Sequence, residues 1–380
     1  MKYIHRQLEP SILHYLKSFS VLGITGPRQS GKSTLLRHLL PSYTYVTFDD
    51  PKIVDYFQED PEGFITQYGH HIIFDEVQRV PKLFHYIKIA VDADRKKYGK
   101  FVLTGSSQFT LLQSISESLA GRIGLLSLLP FQYLEIPTKL RQKSIFSGGY
   151  PELVCRRYDD HQAWYSAYFD TYLNKDLRMI SNIGDLRDFR RFIHLLAANT
   201  SQILNMSAYA NDIGVSVTTI KRWISVLEAS YIIFLLPPFY RNIGKRIVKH
   251  PKIYFYDTGM VSYFVGIENQ TQYEKGPMAG SLFENYVVSE ILKKEKHRNT
   301  YSELFYLRTS DQWEIDLIID RKQTREFIEI KKTSSFKIRM LQSIQRFLEP
   351  KDTGYFLYSG KKFPLANRIQ VINYQDYLAG

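Results

Sequence analysis

The segment Gly26–Ser33 has the residue types and spacing of a loop that binds phosphate groups, because it reads Gly-Pro-Arg-Gln-Ser-Gly-Lys-Ser and matches the Walker A pattern. Glycines let the backbone curl so that several N–H groups face the phosphates, and a helix beginning there adds partial positive charge. We expect Lys32 to reach the β- and γ-phosphates of ATP and Ser33 to ligate Mg²⁺. The predicted nucleotide contacts are Gly26, Pro27, Arg28, Gln29, Ser30, Gly31, Lys32, Ser33 and Thr34.

Two adjacent acids, Asp75 and Glu76, follow the apolar run His71–Phe74. The carboxyl ends of parallel strands are where open α/β sheets bind their ligands. We therefore expect Asp75 to hold Mg²⁺ through water, and Glu76 to orient the water that attacks the terminal phosphate. The predicted reaction is ATP hydrolysis. A small-molecule P-loop kinase is the disfavoured alternative, since Glu76 suits the activation of water.

Two further positions leave alternatives open. After the apolar run Phe101–Thr104, the hydroxyl of Thr104 or Ser106 could sense the γ-phosphate, although turn hydrogen bonds would explain either hydroxyl equally well. Arg122 could stabilise charge on the transferring phosphoryl group, in its own subunit or in a neighbouring subunit of a homo-oligomer. A surface ion pair is the alternative role for Arg122.

Alternating strands and helices must position these groups. Short apolar runs such as Val21–Thr25 and Tyr43–Phe48 are separated by helical patterns such as Leu83–Ala93. This alternation predicts an α/β fold in which helices cover a parallel sheet. The pattern ends in a polar stretch near Pro137–Tyr150, and a second polar stretch lies at Glu268–Ser281. We predict a P-loop ATPase core over 1–136, a middle domain over 137–275 and a third domain over 276–380.

The middle segment has the pattern of a winged helix-turn-helix. Two short helices, Asn205–Ile213 and Ser216–Ala229, are joined by a glycine turn and followed by two predicted strands, Tyr231–Leu236 and Ile253–Tyr256. No acid occurs between Ala229 and Tyr256, whereas five basic residues do, including Lys252, which is typical of a loop that follows phosphates. Contact with a protein instead of DNA is the alternative. The predicted DNA contacts are Thr218, Thr219, Lys221, Arg222, Arg241, Lys245, Arg246 and Lys249.

The C-terminal segment carries acidic residues at positions that could converge. Strand periodicity places Glu329 and Lys331 on one face, and Glu284 borders the apolar stripe of its helix. Glu284, Asp316 and Glu329 could therefore converge on Mg²⁺ or Mn²⁺, with Lys331 stabilising or positioning a water for phosphodiester attack. The pattern resembles the PD-(D/E)xK nuclease superfamily, with Asp316, Glu329 and Lys331 at its motif positions. Exposed acidic–basic alternation, or a nuclease fold without activity, is the alternative.

Charge and composition limit the partners and the compartment. The formal net charge is +12, and it divides into +2 for residues 1–135 (15 basic, 13 acidic) and +10 for 136–380 (35 basic, 25 acidic). The excess in the C-terminal part favours a polyanion such as DNA as a partner. Cys155 is the only cysteine, and the sequence has neither a signal peptide nor an apolar run long enough to span a membrane. We expect a cytoplasmic protein that has no membrane partner.

The order of motifs resembles the AAA-type ATPases of bacteria and archaea whose C-terminal domain has no known function. The resemblance rests on Gly26–Ser33, Ile72–Glu76, Leu103–Ser107, Ser118–Arg122, Leu129–Phe131, Gly148–Glu152 and Tyr172–Asp176. It implies an ATP-hydrolysing AAA-type core, a winged-helix module and an α/β nuclease-like domain. The leading hypothesis is an ATPase that couples nucleotide turnover to DNA binding or processing. A regulatory ATPase switch whose C-terminal domains bind proteins is the alternative.

Overall fold

The computed structural model of the protein describes residues 3–105, 119–172, 185–239, 249–365 and 368–380. The chain forms two compact units. The first comprises Met1–Phe131, Ala229–Tyr231 and Lys296–Thr300, and the second Gln132–Glu228, Ile232–Glu295 and Tyr301–Gly380. The segments predicted as a middle and a third domain therefore share the second unit, and the domain boundaries stay predictions.

The first unit is built on a five-stranded parallel sheet, as the sequence predicted. Its strands are β1 (Val21–Thr25), β2 (Thr44–Thr47), β3 (Ile72–Asp75), β4 (Phe101–Thr104) and β5 (Ile123–Ser127). Their order across the sheet is β2-β3-β4-β1-β5. Because β3, β4 and β1 are successive neighbours, the residues at their carboxyl ends lie side by side.

Helices cover both faces of this sheet. They are α1 (Glu9–Leu16), α2 (Lys32–Leu39), α3 (Pro51–Glu59), α4 (Pro61–Gln67) and α5 (Leu83–Asp92). Alternate residues of β3 belong to opposite cores, since Ile72 and Phe74 pack in one cluster and Ile73 in the other. A strand buried on both faces reads as a continuous apolar run, which explains why the sequence pattern was clear here.

The second unit begins with helices and a short antiparallel strand pair. The elements are α6 (Arg141–Ser147), α7 (Pro151–Cys155), α8 (His161–Tyr172), α9 (Leu186–Ala198), α10 (Met206–Ile213), α11 (Val217–Ala229), β6 (Ile233–Leu236) and β7 (Lys252–Phe255). The Asn205 side chain caps α10, Gly214 ends it in the left-handed conformation, and Ser216 caps α11 through the backbone N–H of Thr219 at 3.0 Å. Trp223 is buried against α9, so this side of α11 is apolar, as predicted.

A mixed sheet and its helices complete the second unit. The remaining elements are α12 (Thr258–Val265), α13 (Gln270–Lys275), α14 (Ala279–His297), β8 (Glu303–Arg308), β9 (Glu314–Asp320), β10 (Arg325–Ile330), α15 (Gln342–Phe347), β11 (Thr353–Tyr358), β12 (Ile369–Asn373) and α16 (Tyr374–Ala379). The strand order is β12-β11-β10-β9-β8, antiparallel from β8 to β10 and parallel from β10 to β12. None of the helices within the described ranges combines the length and the apolar character needed to span a bilayer.

A buried polar network surrounds the two glycines that begin the Gly148–Glu152 motif. Asp257, which is buried, accepts a hydrogen bond from the backbone N–H of Gly149 at 2.7 Å and from the hydroxyl of Tyr165 at 2.6 Å. Gly148 has a φ of +81°, and a Cβ there would lie 2.2 Å from the Tyr165 hydroxyl. The glycine is therefore required both by the backbone conformation and by close contact.

Candidate nucleotide site and acidic cluster

The phosphate-binding loop connects β1 to α2, which is the context that the Walker A pattern requires. Gly26 has a φ of +143° and a Cβ there would lie 2.1 Å from the carbonyl oxygen of Leu128, so only glycine fits. Gly31 adopts the left-handed conformation immediately before α2. These two glycines give the loop its curl. Gln29 and Thr34 are exposed and Ser30 is buried.

Lys32 lies folded into this loop. Its ammonium donates hydrogen bonds to the carbonyl oxygens of Gly26 at 3.0 Å and Pro27 at 2.9 Å. Burial lowers the pKa of Lys32 to about 8, although the carboxylates of Glu76 and Asp75 act in the opposite direction. The ammonium is thus held at the loop and near both acids, where a nucleotide phosphate would meet it.

Asp75 is the centre of the site, because four donors converge on its buried carboxylate. Oδ2 accepts from the hydroxyl of Ser33 at 2.8 Å and from the hydroxyl of Tyr45. Oδ1 accepts from the hydroxyl of Thr104 and from the backbone N–H of Glu76 at 3.1 Å. The structure therefore brings together the loop, Asp75 and Thr104, as the neighbouring strand ends predicted. Ser33 and Asp75 are a fitting oxygen pair for Mg²⁺.

Glu76 and Arg122 have different surroundings. Glu76 follows β3 in the left-handed conformation, with a φ of 57°, and its carboxylate accepts a hydrogen bond from the Gln78 side chain. Arg122 forms a two-pronged ion pair with Asp92 at the end of α5, with N–O distances of 2.8 and 3.1 Å. In the structure Arg122 therefore forms the ion pair that was the alternative to a catalytic role. A catalytic role for Arg122 stays a prediction. Ser106 lies outside the described residues.

Two side chains at this site were missed by the sequence analysis. Arg6 is buried and donates to the carbonyl oxygen of Ser30 at 2.8 Å and to that of Leu129 at 2.7 Å, so it braces the phosphate loop. Tyr45 supplies one of the four donors to Asp75, and burial together with that hydrogen bond raises its pKa to about 12. Nothing in the spacing around either residue marks it, because the partners are distant in the sequence.

The predicted DNA-binding face of α11 is accessible. Thr218, Lys221 and Arg222 are exposed, and Thr219 is half-buried with its hydroxyl 2.9 Å from that of Ser216. Lys249 is exposed too. Arg241, Lys245 and Arg246 lie outside the described residues.

The placement of Lys252 in a basic wing is wrong. Lys252 is only 2% exposed and its side chain points into the acidic cluster of the second unit. Its ammonium lies 3.1 Å from Glu284 Oε1 and 2.5 Å from Glu314 Oε1. A third carboxylate, Asp316, has Oδ1 at 3.9 Å. Tyr254, on the same face of β7, donates its hydroxyl to Glu284 Oε1 at 2.7 Å.

The other side of the cluster contains the predicted acidic–x–basic pair. Lys331 Nζ lies 2.7 Å from Glu329 Oε1 and 3.4 Å from Asp316 Oδ2, which also accepts the backbone N–H of Ile330 at 2.8 Å. Glu329 Oε2 is buried and has no hydrogen-bond partner among the described residues. The predicted convergence of Glu284, Asp316, Glu329 and Lys331 is therefore found. Three residues that the prediction did not include, Lys252, Tyr254 and Glu314, belong to the same cluster.

The cluster does not fit a divalent cation in this arrangement. The Lys252 ammonium lies between the carboxylates of Glu284 and Asp316, where a metal ion would have to bind. Burial, followed by the negative charge of Asp316, raises the pKa of Glu329, whereas the nearby carboxylates outweigh burial and raise the pKa of Lys252. Within the described ranges, no group of three or more Asp, Glu, His or Cys side chains is arranged to hold a metal ion. Metal binding here stays a prediction.

Three segments of the chain match known protein families. Residues 18–137 match the profile of an AAA domain, residues 138–271 that of a domain of unknown function (DUF8612), and residues 279–377 that of a second (DUF4143). An uncharacterised protein of Mycobacterium tuberculosis is 30% identical over 355 residues, which cover 93% of this chain and 79% of that protein. An uncharacterised protein of Haemophilus influenzae is 24% identical over 309 residues, which cover 71% and 74%. The solved structure of a Walker-type ATPase from Pyrococcus abyssi is 14% identical, with a TM-score of 0.48 over 68% of this chain and 95% of that one.

Proposed function

Since the chain belongs to the family that includes the mycobacterial protein, and is an AAA-type P-loop ATPase, we propose that it couples ATP turnover to the binding or processing of DNA. The observation that carries this proposal is the exposed polar face of α11. That face follows a helix, a left-handed Gly214 and a capping Ser216, which is the local geometry of a helix-turn-helix. The same chain carries an assembled nucleotide site.

The nucleotide site supplies the energy-converting step. In this proposal Lys32 exchanges its two loop carbonyls for the β- and γ-phosphates, which are stronger acceptors because they are charged. Ser33, and Asp75 through water, would hold Mg²⁺, which would supply positive charge to the phosphates. Glu76 orients the attacking water and accepts its proton. Thr104 holds Asp75 in position through its hydroxyl.

Residues of α11 and the following segment supply the contact with DNA. Lys221 and Arg222 neutralise phosphates, and Thr218 lies beside them on the accessible face. In this proposal Arg241, Lys245 and Arg246, which follow α11 in the sequence, add further phosphate contacts. Such contacts bind DNA of any sequence with an affinity that depends strongly on salt.

Substitutions in the nucleotide site test the hydrolysis mechanism. We expect Lys32→Ala to abolish ATP binding, because the ammonium would no longer reach the phosphates. Glu76→Gln should bind ATP with unchanged affinity but hydrolyse it on the order of 10²–10⁴-fold more slowly, since only activation of water is lost. Equilibrium binding of a fluorescent ATP analogue and single-turnover hydrolysis measure the two effects. Wild-type turnover in Glu76→Gln would remove Glu76 from the mechanism.

DNA-stimulated ATPase activity tests the coupling. We expect duplex DNA to raise the turnover of the wild type, and the double substitution Lys221→Gln/Arg222→Gln to lower both the affinity and the salt slope, by about one unit for each lost phosphate contact. Lys361→Gln/Lys362→Gln removes the same charge from another exposed site and serves as the control. An equal effect in both variants would indicate non-specific attraction. Unchanged DNA binding in both would favour the regulatory switch that binds proteins.

A further inference from the structure

We infer that Lys252 is the cation of the C-terminal acidic cluster: its ammonium lies among the carboxylates that were predicted to bind a divalent ion, and its removal would turn the same carboxylates into a divalent-cation site. This inference goes beyond the proposed coupling of ATP turnover to DNA and does not depend on it. The cluster comprises Lys252, Tyr254, Glu284, Arg308, Glu314, Asp316, Glu329 and Lys331.

The geometry around Lys252 is that of a coordinated cation. Three carboxylate oxygens, from Glu284, Glu314 and Asp316, lie 2.5–3.9 Å from one nitrogen. They come from α14 and β9, whereas the lysine comes from β7, so the fold itself brings a positive charge to a point where acids from two other elements meet. Carboxylates buried this close to one another are stable only if a cation compensates their negative charge.

The balance of charge shows how much Lys252 contributes. The cluster contains four carboxylates and three cations, because Lys331 pairs with Glu329 and Arg308 lies 3.4 Å from Glu314. With every group ionised, the sum is −1 in the native protein and −2 without Lys252. The latter value matches the charge of one divalent ion. Glu329 Oε2, which has no hydrogen-bond partner among the described residues, is a further oxygen ligand available to such an ion.

The native cluster should also exclude a metal ion. Lys252 is 2% exposed, so a metal ion could enter only if the ammonium moved out of a buried, fully paired position. A hydrated Mg²⁺ ion loses its waters reluctantly, which adds to that cost. We therefore expect the wild type to bind no Mn²⁺ or Mg²⁺ at these carboxylates.

Mn²⁺ titration of the nucleotide-free protein of residues 1–380, followed by electron paramagnetic resonance, tests the inference. We expect Lys252→Met to bind one more equivalent of Mn²⁺ than the wild type, and to melt about 10 °C lower without metal, because buried acids lose their partner. Excess Mn²⁺ should restore most of that shift. Lys252→Met/Asp316→Asn should lose the extra equivalent, which assigns it to the cluster.

Lys293→Met is the matched control, because Lys293 is also 2% exposed in its side chain and lies 2.8 Å from the carboxylate of the buried Glu290. It should lower the melting temperature without adding Mn²⁺ binding. If Lys252→Met does not fold, Lys252→Met/Glu284→Gln keeps the charge of the native cluster and should fold without metal; failure of this variant would contradict the inference. Two other results would also contradict it: a Mn²⁺ site in the wild type that Asp316→Asn abolishes, or a folded Lys252→Met protein that binds no additional Mn²⁺.

Discussion

Replacement of Asp75 by asparagine should destabilise the protein even when neither nucleotide nor metal is present. The carboxylate accepts two donors on each oxygen: Ser33 and Tyr45 on Oδ2, and Thr104 and the Glu76 backbone on Oδ1. An asparagine keeps one acceptor oxygen and points an NH₂ group at the other two donors. A hydrogen bond to a charged group contributes about 1.5–3 kcal/mol, and the hydroxyls recover part of the loss by rotating to accept from the NH₂ group.

We therefore expect Asp75→Asn to cost about 2–4 kcal/mol of unfolding free energy, which corresponds to a fall of about 5–15 °C in melting temperature. Thermal melts followed by circular dichroism in EDTA measure it without any contribution from metal. Glu76→Gln is the control, because it alters the neighbouring acid, which is only half-buried, and it should shift the melt by less than about 3 °C. If Asp75→Asn melts like the wild type in EDTA, the carboxylate serves the metal alone, and the four-donor argument is refuted.

Two further predictions concern Arg122 and Gly148. If the guanidinium acts on the phosphoryl group, Arg122→Ala should slow ATP hydrolysis on the order of 10³-fold at unchanged ATP affinity. If subunits share sites, mixing this variant with Glu76→Gln should partly restore turnover. Asp92→Asn, which breaks the same ion pair, should leave hydrolysis within about twofold, and equal steady-state rates for the two variants would show that the ion pair is all that matters. Gly148→Ala should lower the free energy of unfolding in urea by about 3 kcal/mol or more, because its Cβ would lie 2.2 Å from the Tyr165 hydroxyl. Gly214 has a φ of +86° and nothing within 4 Å of the position that a Cβ would take, so Gly214→Ala should lower it by only about 1–2 kcal/mol. Similar losses for both glycines would show that contact with Tyr165 is unimportant.

Local patterns were sufficient to predict the phosphate-binding loop and the strand ends that lie beside it. The glycine loop, the strand before it and the helix after it are all specified within about 20 residues, and neighbouring parallel strands then bring Asp75 and Thr104 to Ser33. The apolar face of α11 was predictable for the same reason, because Trp223 and its neighbours follow helical spacing.

Local patterns could not predict contacts between residues that are distant in the sequence. Arg6 binds a carbonyl 123 residues away, and Tyr45 reaches an acid 30 residues away, so neither shows a recognisable spacing. Lys252 was misinterpreted because a basic residue in an acid-free stretch resembles a phosphate contact. One signal did exist: Lys252 shares the period-two face of β7 with Tyr254, and a lysine that starts an otherwise apolar strand needs an acid from elsewhere in the fold.

The joining of β7 to α14 has a consequence for any attempt to study the C-terminal domain in isolation. Besides the Lys252–Glu284 ion pair, the side-chain amide of Asn285 hydrogen-bonds both the N–H and the carbonyl of Phe255, each at 2.8 Å. A fragment that starts at residue 276 would discard this strand and leave the carboxylates without their lysine. Such a fragment should bind Mg²⁺ or Mn²⁺, whereas we expect residues 1–380 to bind neither ion at these carboxylates. Metal binding or weak DNA cleavage by such a fragment would then be created by the truncation. Whether the domain is an enzyme must therefore be measured on a chain that includes β7.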